Sequence, residues 1–133
     1  NPVYYVQYAH ARIASVLRKA LEQFGPETPG RAAEPGGEEA ALLQVAARFP
    51  DAVERSAEEL EPYVITEYLQ KLAAALQSYY QLGDKDERFR MLHADGAVRR
   101  MRLDVARAVQ VVLRNGLSLL GVGAPERMDA PAS

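Results

Sequence analysis

Three residues near the start of the chain have the types and spacing of a nucleic-acid stacking face. Tyr5, Tyr8 and Arg12 follow one another at intervals of three and four residues, which on a helix lines two aromatic rings and a guanidinium along one side. Single-stranded RNA is held by aromatic rings beneath splayed bases, with arginine contacting phosphate or capping the stack. The same spacing also suits tyrosines at the core or rim of a helical bundle. Tyr79-Tyr80 carries the same two readings. Arg100, Arg107 and Arg114 recur every seven residues, with Arg99 and Arg102 beside the first, and so stay near one line of a helix. They read as a phosphate-binding stripe or as a solvated charged face, with Asp104 absorbing part of the charge.

Catalytic chemistry finds no comparable foothold. Ser15, Ser56, Ser78 and Ser118 fall in helical patterns with no general base at a recognisable position. Asp84-Asp86-Glu87 lacks the glycine and terminal glutamate of a calcium loop, and Gly121-Val122-Gly123 follows a helix rather than a strand. There are no cysteines, and the two histidines, His10 and His93, are far apart, so no metal or other cofactor is expected in this domain. His10 sits between Val6 and Ile13 on an apolar side, where a hydrogen-bonded core histidine is expected rather than a ligand.

The elements that must position these residues are helices. Asn1-Pro2 is a cap followed by a first-turn proline, and Val6, Ala9, Ile13, Val16, Leu17, Ala20, Leu21 and Phe24 form a stripe predicting a helix over 3–24. The Pro/Gly-rich stretch 25–37 buries little and reads as a mobile loop. Ala41, Leu42, Val45 and Ala46 place a short helix over 38–49, ended by Pro50, and Asp51 then caps another to about Leu60. Glu61-Pro62 opens a second long helix with Ile65, Leu69, Leu72, Leu76 and Tyr79 or Tyr80 inward, ending at Leu82-Gly83. Residues 84–97 are a charged loop with room for one helical turn. Val98, Met101, Val105, Val109, Val112 and Leu119 predict a third long helix over 97–120, stopped by Gly121. The remainder is an irregular strap. Three long and two short amphipathic helices imply an all-α bundle.

The chain has 133 residues, enough for one domain, and opens without methionine, so it reads as a fragment. It contains no apolar run long enough to span a bilayer and nothing resembling a signal peptide, which makes the cytoplasm the default location. Its net charge of −2 argues at first against nucleic acid, which is bound through Lys and Arg. The charge is unevenly placed. Residues 1–24 carry +2, residues 25–70 carry −7 and residues 83–128 carry +3. A basic surface built from the two ends, with the acidic middle turned away, fits a polyanion.

Two segments narrow the choice. NPVYYVQYAHAR at the start and LRNGLSLLGVGAPERM near the end resemble the opening and closing signatures of the C-terminal anticodon-binding, or DALR, domain of bacterial-type arginyl-tRNA synthetases. The middle, with its Phe49-Pro50 break, Glu61-Pro62 restart and closing tyrosine pair, is similar to the family's central helices. The likeness covers residues 1–128, leaving 129–133 as a flexible tail. It implies an anticodon-binding helical bundle that grips the anticodon arm of arginine tRNA, with the catalytic domain of the same polypeptide and the tRNA as partners, and no membrane or DNA. ATP and Mg would serve the full enzyme. HIGH-like and KMSKS-like segments are absent, so this chain alone is not expected to activate arginine.

By the same resemblance, Tyr8, Tyr80 and Met128 match the places where bases of the anticodon loop are held. Arginine anticodons share a central C, whose exocyclic amine is a donor that strap carbonyls around Val122 to Ala124 can accept. Tyr5, Arg12, Arg100, Arg107 and Arg114 complete the expected contact set. The alternatives are a helical protein-interaction module and the equivalent domain of another class I synthetase.

Overall fold

The computed structural model describes residues 1–27 and 29–129. The tail expected at 129–133 lies outside them except for Asp129. The long helices are α1 (Pro2–Phe24), α4 (Tyr63–Lys85) and α5 (Gly96–Leu119). The short ones are α2 (Gly37–Ala46) and α3 (Phe49–Glu59), and a single 3-10 turn, Glu87–Phe89, interrupts the loop before α5. No strand occurs among the described residues. The fold is the all-α bundle of three long and two short helices anticipated above.

α4 is the central element, in contact with α1, α2, α3, α5 and the 3-10 turn. Its Leu69, Leu72 and Leu76 recur at three and four residues and are essentially closed to water, as are Ile13 of α1 and Val109, Leu113 and Leu117 of α5. Each such side chain contributes roughly 1.5–3 kcal/mol by leaving water. α5 crosses α4 at Gly116, where a Cβ would lie 2.5 Å from Leu69 Cδ2. Only a residue without a side chain permits that approach.

Helix ends follow local chemistry, with some departures from the pattern-based bounds. Asn1 Oδ1 accepts the Val3 N–H at 2.9 Å, and Asp95 Oδ1 accepts those of Ala97 and Val98 at the start of α5. The Asp95 carboxyl is held below its ordinary range by the bonds from Val98 and Ala97. α2 ends earlier than expected, at Ala46. α3 begins at Phe49 with Pro50 in its first turn, so Asp51 is a first-turn acid and not the cap. A proline there loses nothing, because the N–H it lacks would have no partner. α4 runs past Gly83 to Lys85, since one glycine weakens a helix by only about 1 kcal/mol.

The apolar stripes also end differently. Leu21 and Phe24 remain partly exposed where the last turn of α1 meets Arg99, Arg100 and Arg107 of α5. Arg99 stacks over Phe24 at 3.6 Å. On α5, Leu113 and Leu117 enter the core while Leu119 remains 57% exposed.

The largest departure is electrostatic. Glu39, from the acidic middle expected to turn away from a bound polyanion, is 2% exposed, and Arg102, read as part of a phosphate-binding or solvated face, is 7% exposed. Glu39 Oε1 accepts the Gly36 N–H at 2.9 Å, closing the start of α2. Its Oε2 accepts the Tyr79 hydroxyl at 2.7 Å and lies 3.7 Å from Arg102 Nε. Arg102 Nη1 donates to the carbonyls of Arg88 and Arg90 at 2.8 and 2.7 Å. One buried network thereby joins α2, α4, α5 and the loop of residues 86–90. Burial first, then the bond to Glu39, pushes the Tyr79 hydroxyl far above the usual tyrosine range, so it remains a donor. Tyr68, pushed up to about 12 by burial, donates to Val45 and Ala46 at the end of α2.

Two substitutions test this architecture. Gly116→Ala should lower unfolding free energy by about 1–3 kcal/mol in a urea titration, because overpacking against Leu69 outweighs the gain in helix propensity; a neutral result would mean a looser crossing. Glu39→Ala should cost about 3–5 kcal/mol by leaving Arg102 buried without its counter-ion, against which a loss under about 1 kcal/mol in the same titration would count.

Candidate nucleic-acid interface

The chain leaves α5 through a tight reversal. Gly121 has φ of 76°, its N–H donates to Ser118 O, and the Val122 N–H donates to Leu117 O. This pair of bonds, with the left-handed residue, satisfies the last carbonyls of α5 and turns the strap of residues 121–129 back over α1.

The strap has no regular structure, so its carbonyls are left to side-chain donors or water. α1 supplies the donors. Gln7 Nε2 donates to Gly123 O at 2.9 Å, His10 Nδ1–H to Pro125 O at 2.9 Å, Arg18 Nη1 to Glu126 O at 3.0 Å and the Tyr4 hydroxyl to Asp129 O at 3.2 Å. Of the four donors only His10 is buried, 2% exposed. Donation from Nδ1 assigns the proton to that nitrogen. The expectation of a hydrogen-bonded interior histidine is met, with the strap as its partner.

Between α1 and the end of the strap lies an open cavity of about 550 Å³, lined by Tyr8, Ala11, Arg12, Ser15, Arg18 and Lys19 on one side and Glu126, Arg127, Met128 and Asp129 on the other. Its cationic lining residues, Arg12, Arg18, Lys19 and Arg127, exceed its acidic ones, Glu126 and Asp129, by two. Beside it, Tyr5, Tyr8 and Arg12 face Ala73, Gln77 and Tyr80 of α4 across a void of only about 10 Å³. The Arg12 guanidinium sits 4.1 Å above the Tyr80 ring and donates to Gln77 Oε1 at 2.6 Å. The Tyr80 hydroxyl is buried without a partner. Burial pushes it well above the ordinary tyrosine range, with the Arg12 charge working the other way and Tyr8 adding to the rise.

Residues far apart in sequence thus come together: Tyr8, Arg12 and Met128 at one cavity, with Tyr80 and Tyr5 adjoining through Arg12. The arginine stripe of α5 lies elsewhere. Arg100 donates through Nε and Nη2 to Arg31 O at 3.1 and 2.9 Å, and Arg107 pairs with Glu27 at 2.8 Å and Asp104 at 3.3 Å. Both tie the 25–37 connector to α5, reinforced by the Ala33 N–H donating to Ala97 O. Arg114 is exposed on α5, outside the cavity lining. Sequence reasoning passed over Gln7, Arg18, Lys19, Gln77 and Arg127. Gln77 stands one helical turn before Tyr80, a signal that was available; the donor-to-carbonyl matches of Gln7 and Arg18 leave no trace in sequence.

Residues 6–128 match the profile of the DALR anticodon binding domain. The chain belongs to that family. The DALR domain described here is 47% identical to an arginine–tRNA ligase of Desulfosudis oleivorans over an alignment of 136 residues, which covers 96% of this chain and 23% of that protein. An arginine–tRNA ligase of Herminiimonas arsenicoxydans is 44% identical over 96% of this chain and 22% of its own length. Among solved structures, Thermus thermophilus arginyl-tRNA synthetase superposes with a TM-score of 0.81 and 38% identity, covering 93% of this chain and 21% of that one. The DALR domain therefore spans under a quarter of the length of the curated relatives it matches.

Replacing His10 by Phe keeps the interior filled and removes the donor to Pro125. The strap of this DALR domain should then open more readily, with cleavage by trypsin after Arg127 accelerated several-fold and global stability reduced by about 1–2 kcal/mol. Unchanged cleavage would mean that the exposed donors alone hold the strap.

Proposed function

We propose that this chain is the anticodon-reading module of an arginyl-tRNA synthetase, gripping the anticodon arm of arginine tRNAs while a catalytic domain of the same polypeptide carries out aminoacylation. The single observation that carries this reading is the convergence of Tyr8, Arg12 and the strap's Met128 on one cation-rich cavity, with Tyr80 alongside. Rings and a thioether offer stacking surface to unstacked bases, and the surplus of positive charge suits the phosphates between them. The likeness to arginine–tRNA ligases supplies the amino-acid identity. Arg114 adds a more distant phosphate contact, and Arg100 and Arg107 contribute through the connector they hold.

Specificity in this reading rests on the central C of arginine anticodons. Its exocyclic amine needs an acceptor, and Gly123 O already accepts from Gln7. Among the described residues no donor is bonded to the carbonyls of Val122 and Ala124, which makes them the acceptors of choice. ATP and Mg belong to the catalytic domain in this scheme, and the assembled enzyme works in the cytoplasm on tRNA, not on DNA. Among the described residues no helix is long and apolar enough to cross a membrane.

The deciding experiment is a binding titration of this chain with an arginine anticodon stem-loop and with one whose middle C is replaced. The replacement should weaken binding by about 1–3 kcal/mol, and Tyr8→Ala or Tyr80→Ala by a similar amount. Affinity for the cognate loop should fall log-linearly with salt. Equal affinity for the two loops would refute anticodon reading.

A further inference from the structure

The ring face of Tyr80, expected to receive a base, is occupied. Arg12 covers it at 4.1 Å and is tethered by the Gln77 side chain at 2.6 Å. The void between these groups and Tyr8, about 10 Å³, holds about one water at most and no nucleobase. On its other side Arg12 borders the open 550 Å³ cavity beneath the strap, and Tyr8 lines both spaces. Arg12 is therefore the wall between a nearly filled slot and an open cavity.

We propose that Arg12 is a displaceable partition: a base from the bound loop takes the Tyr80 face, and the guanidinium swings into the cavity beneath the strap to meet the RNA backbone. This inference rests on the anticodon-reading function proposed above. The exchange is chemically balanced. Tyr80 trades a cation–π contact for base stacking of comparable strength. Arg12 trades a neutral amide oxygen for an anionic phosphate, a stronger hydrogen-bond acceptor. The partition keeps the hydrophobic slot from standing empty in the free protein, and the Gln77 tether sets how often it opens. Binding that needs a minor open state is slowed in proportion to that state's population.

The test measures association of the 133-residue chain with an arginine anticodon stem-loop carrying a fluorescent base, by stopped flow. Gln77→Ala removes the tether and should raise the association rate about threefold to tenfold. Gln77→Glu tightens it and should lower the rate by a similar factor. Both effects should vanish in an Arg12→Ala background, which separates tethering from simple repulsion between a new carboxylate and the RNA. Rates that do not respond to Gln77, or responses that persist without Arg12, would overturn the partition while leaving anticodon reading intact. Failure of the unmodified chain to bind the stem-loop would overturn both.

Discussion

The carboxylate of Glu39, almost without access to water, is the constraint on which the arrangement of helices turns. A buried charge is tolerable only when it is paired and hydrogen-bonded, and its two oxygens accept from the Gly36 N–H at the start of α2 and the Tyr79 hydroxyl of α4, with the guanidinium of Arg102 on α5 3.7 Å away as counter-ion. Meeting all three at once sets the rotation of α4 about its axis. With Tyr79 turned inward, the next residue lies about 100° further round the helix, which brings Tyr80 against Arg12 of α1. The aromatic pair thus divides: Tyr79 locks the bundle, and Tyr80 packs beneath Arg12, beside the open cavity.

α1 works on two fronts for a related reason. Its apolar side, Val6, Ala9 and Ile13, is buried in the core, while Gln7, His10 and Arg18 donate to the strap. An irregular backbone segment can lie against a helix only if its polar groups find partners. The strap therefore borrows donors from side chains and, in exchange, brings Met128 opposite Tyr8. The cavity-lining residues of α1 and those that anchor the strap are adjacent registers of one helix, so changes at either will be felt at the other.

The arginines illustrate how little residue type alone decides. Arg12 stacks on a tyrosine ring, Arg99 on Phe24, Arg100 holds a loop carbonyl, Arg102 is a buried counter-ion and Arg107 pairs with two acids. Four of these five lie within nine positions of α5, where seven-residue spacing suggested one stripe with one purpose. Apart from Asp104 and the nearby carbonyls of His93 and Ala94, the partners of the α5 arginines come from the 25–37 connector, the 88–90 loop, α1 and α2. A guanidinium presents five donors in a rigid fork and readily takes whichever acceptor the fold delivers.

The helices, their number and approximate bounds, and the inward residues of α4 were legible in the sequence because a helix buries one side and its apolar residues must then recur at three and four. Asn1 and Gly121 announced an end of a helix each for equally local reasons. The family was legible too, through segments at both ends of the chain. Tertiary structure alone decided that Glu39 and Arg102 go inside, that Leu21, Phe24 and Leu119 stay out, and that Arg12 shields the Tyr80 ring. Each of those outcomes depends on a partner many residues away. The row of Tyr5, Tyr8 and Arg12 on α1 was thus visible as a pattern of types, but whether its rings are open or covered is set by what α4 and the strap place against it, and no local spacing encodes that.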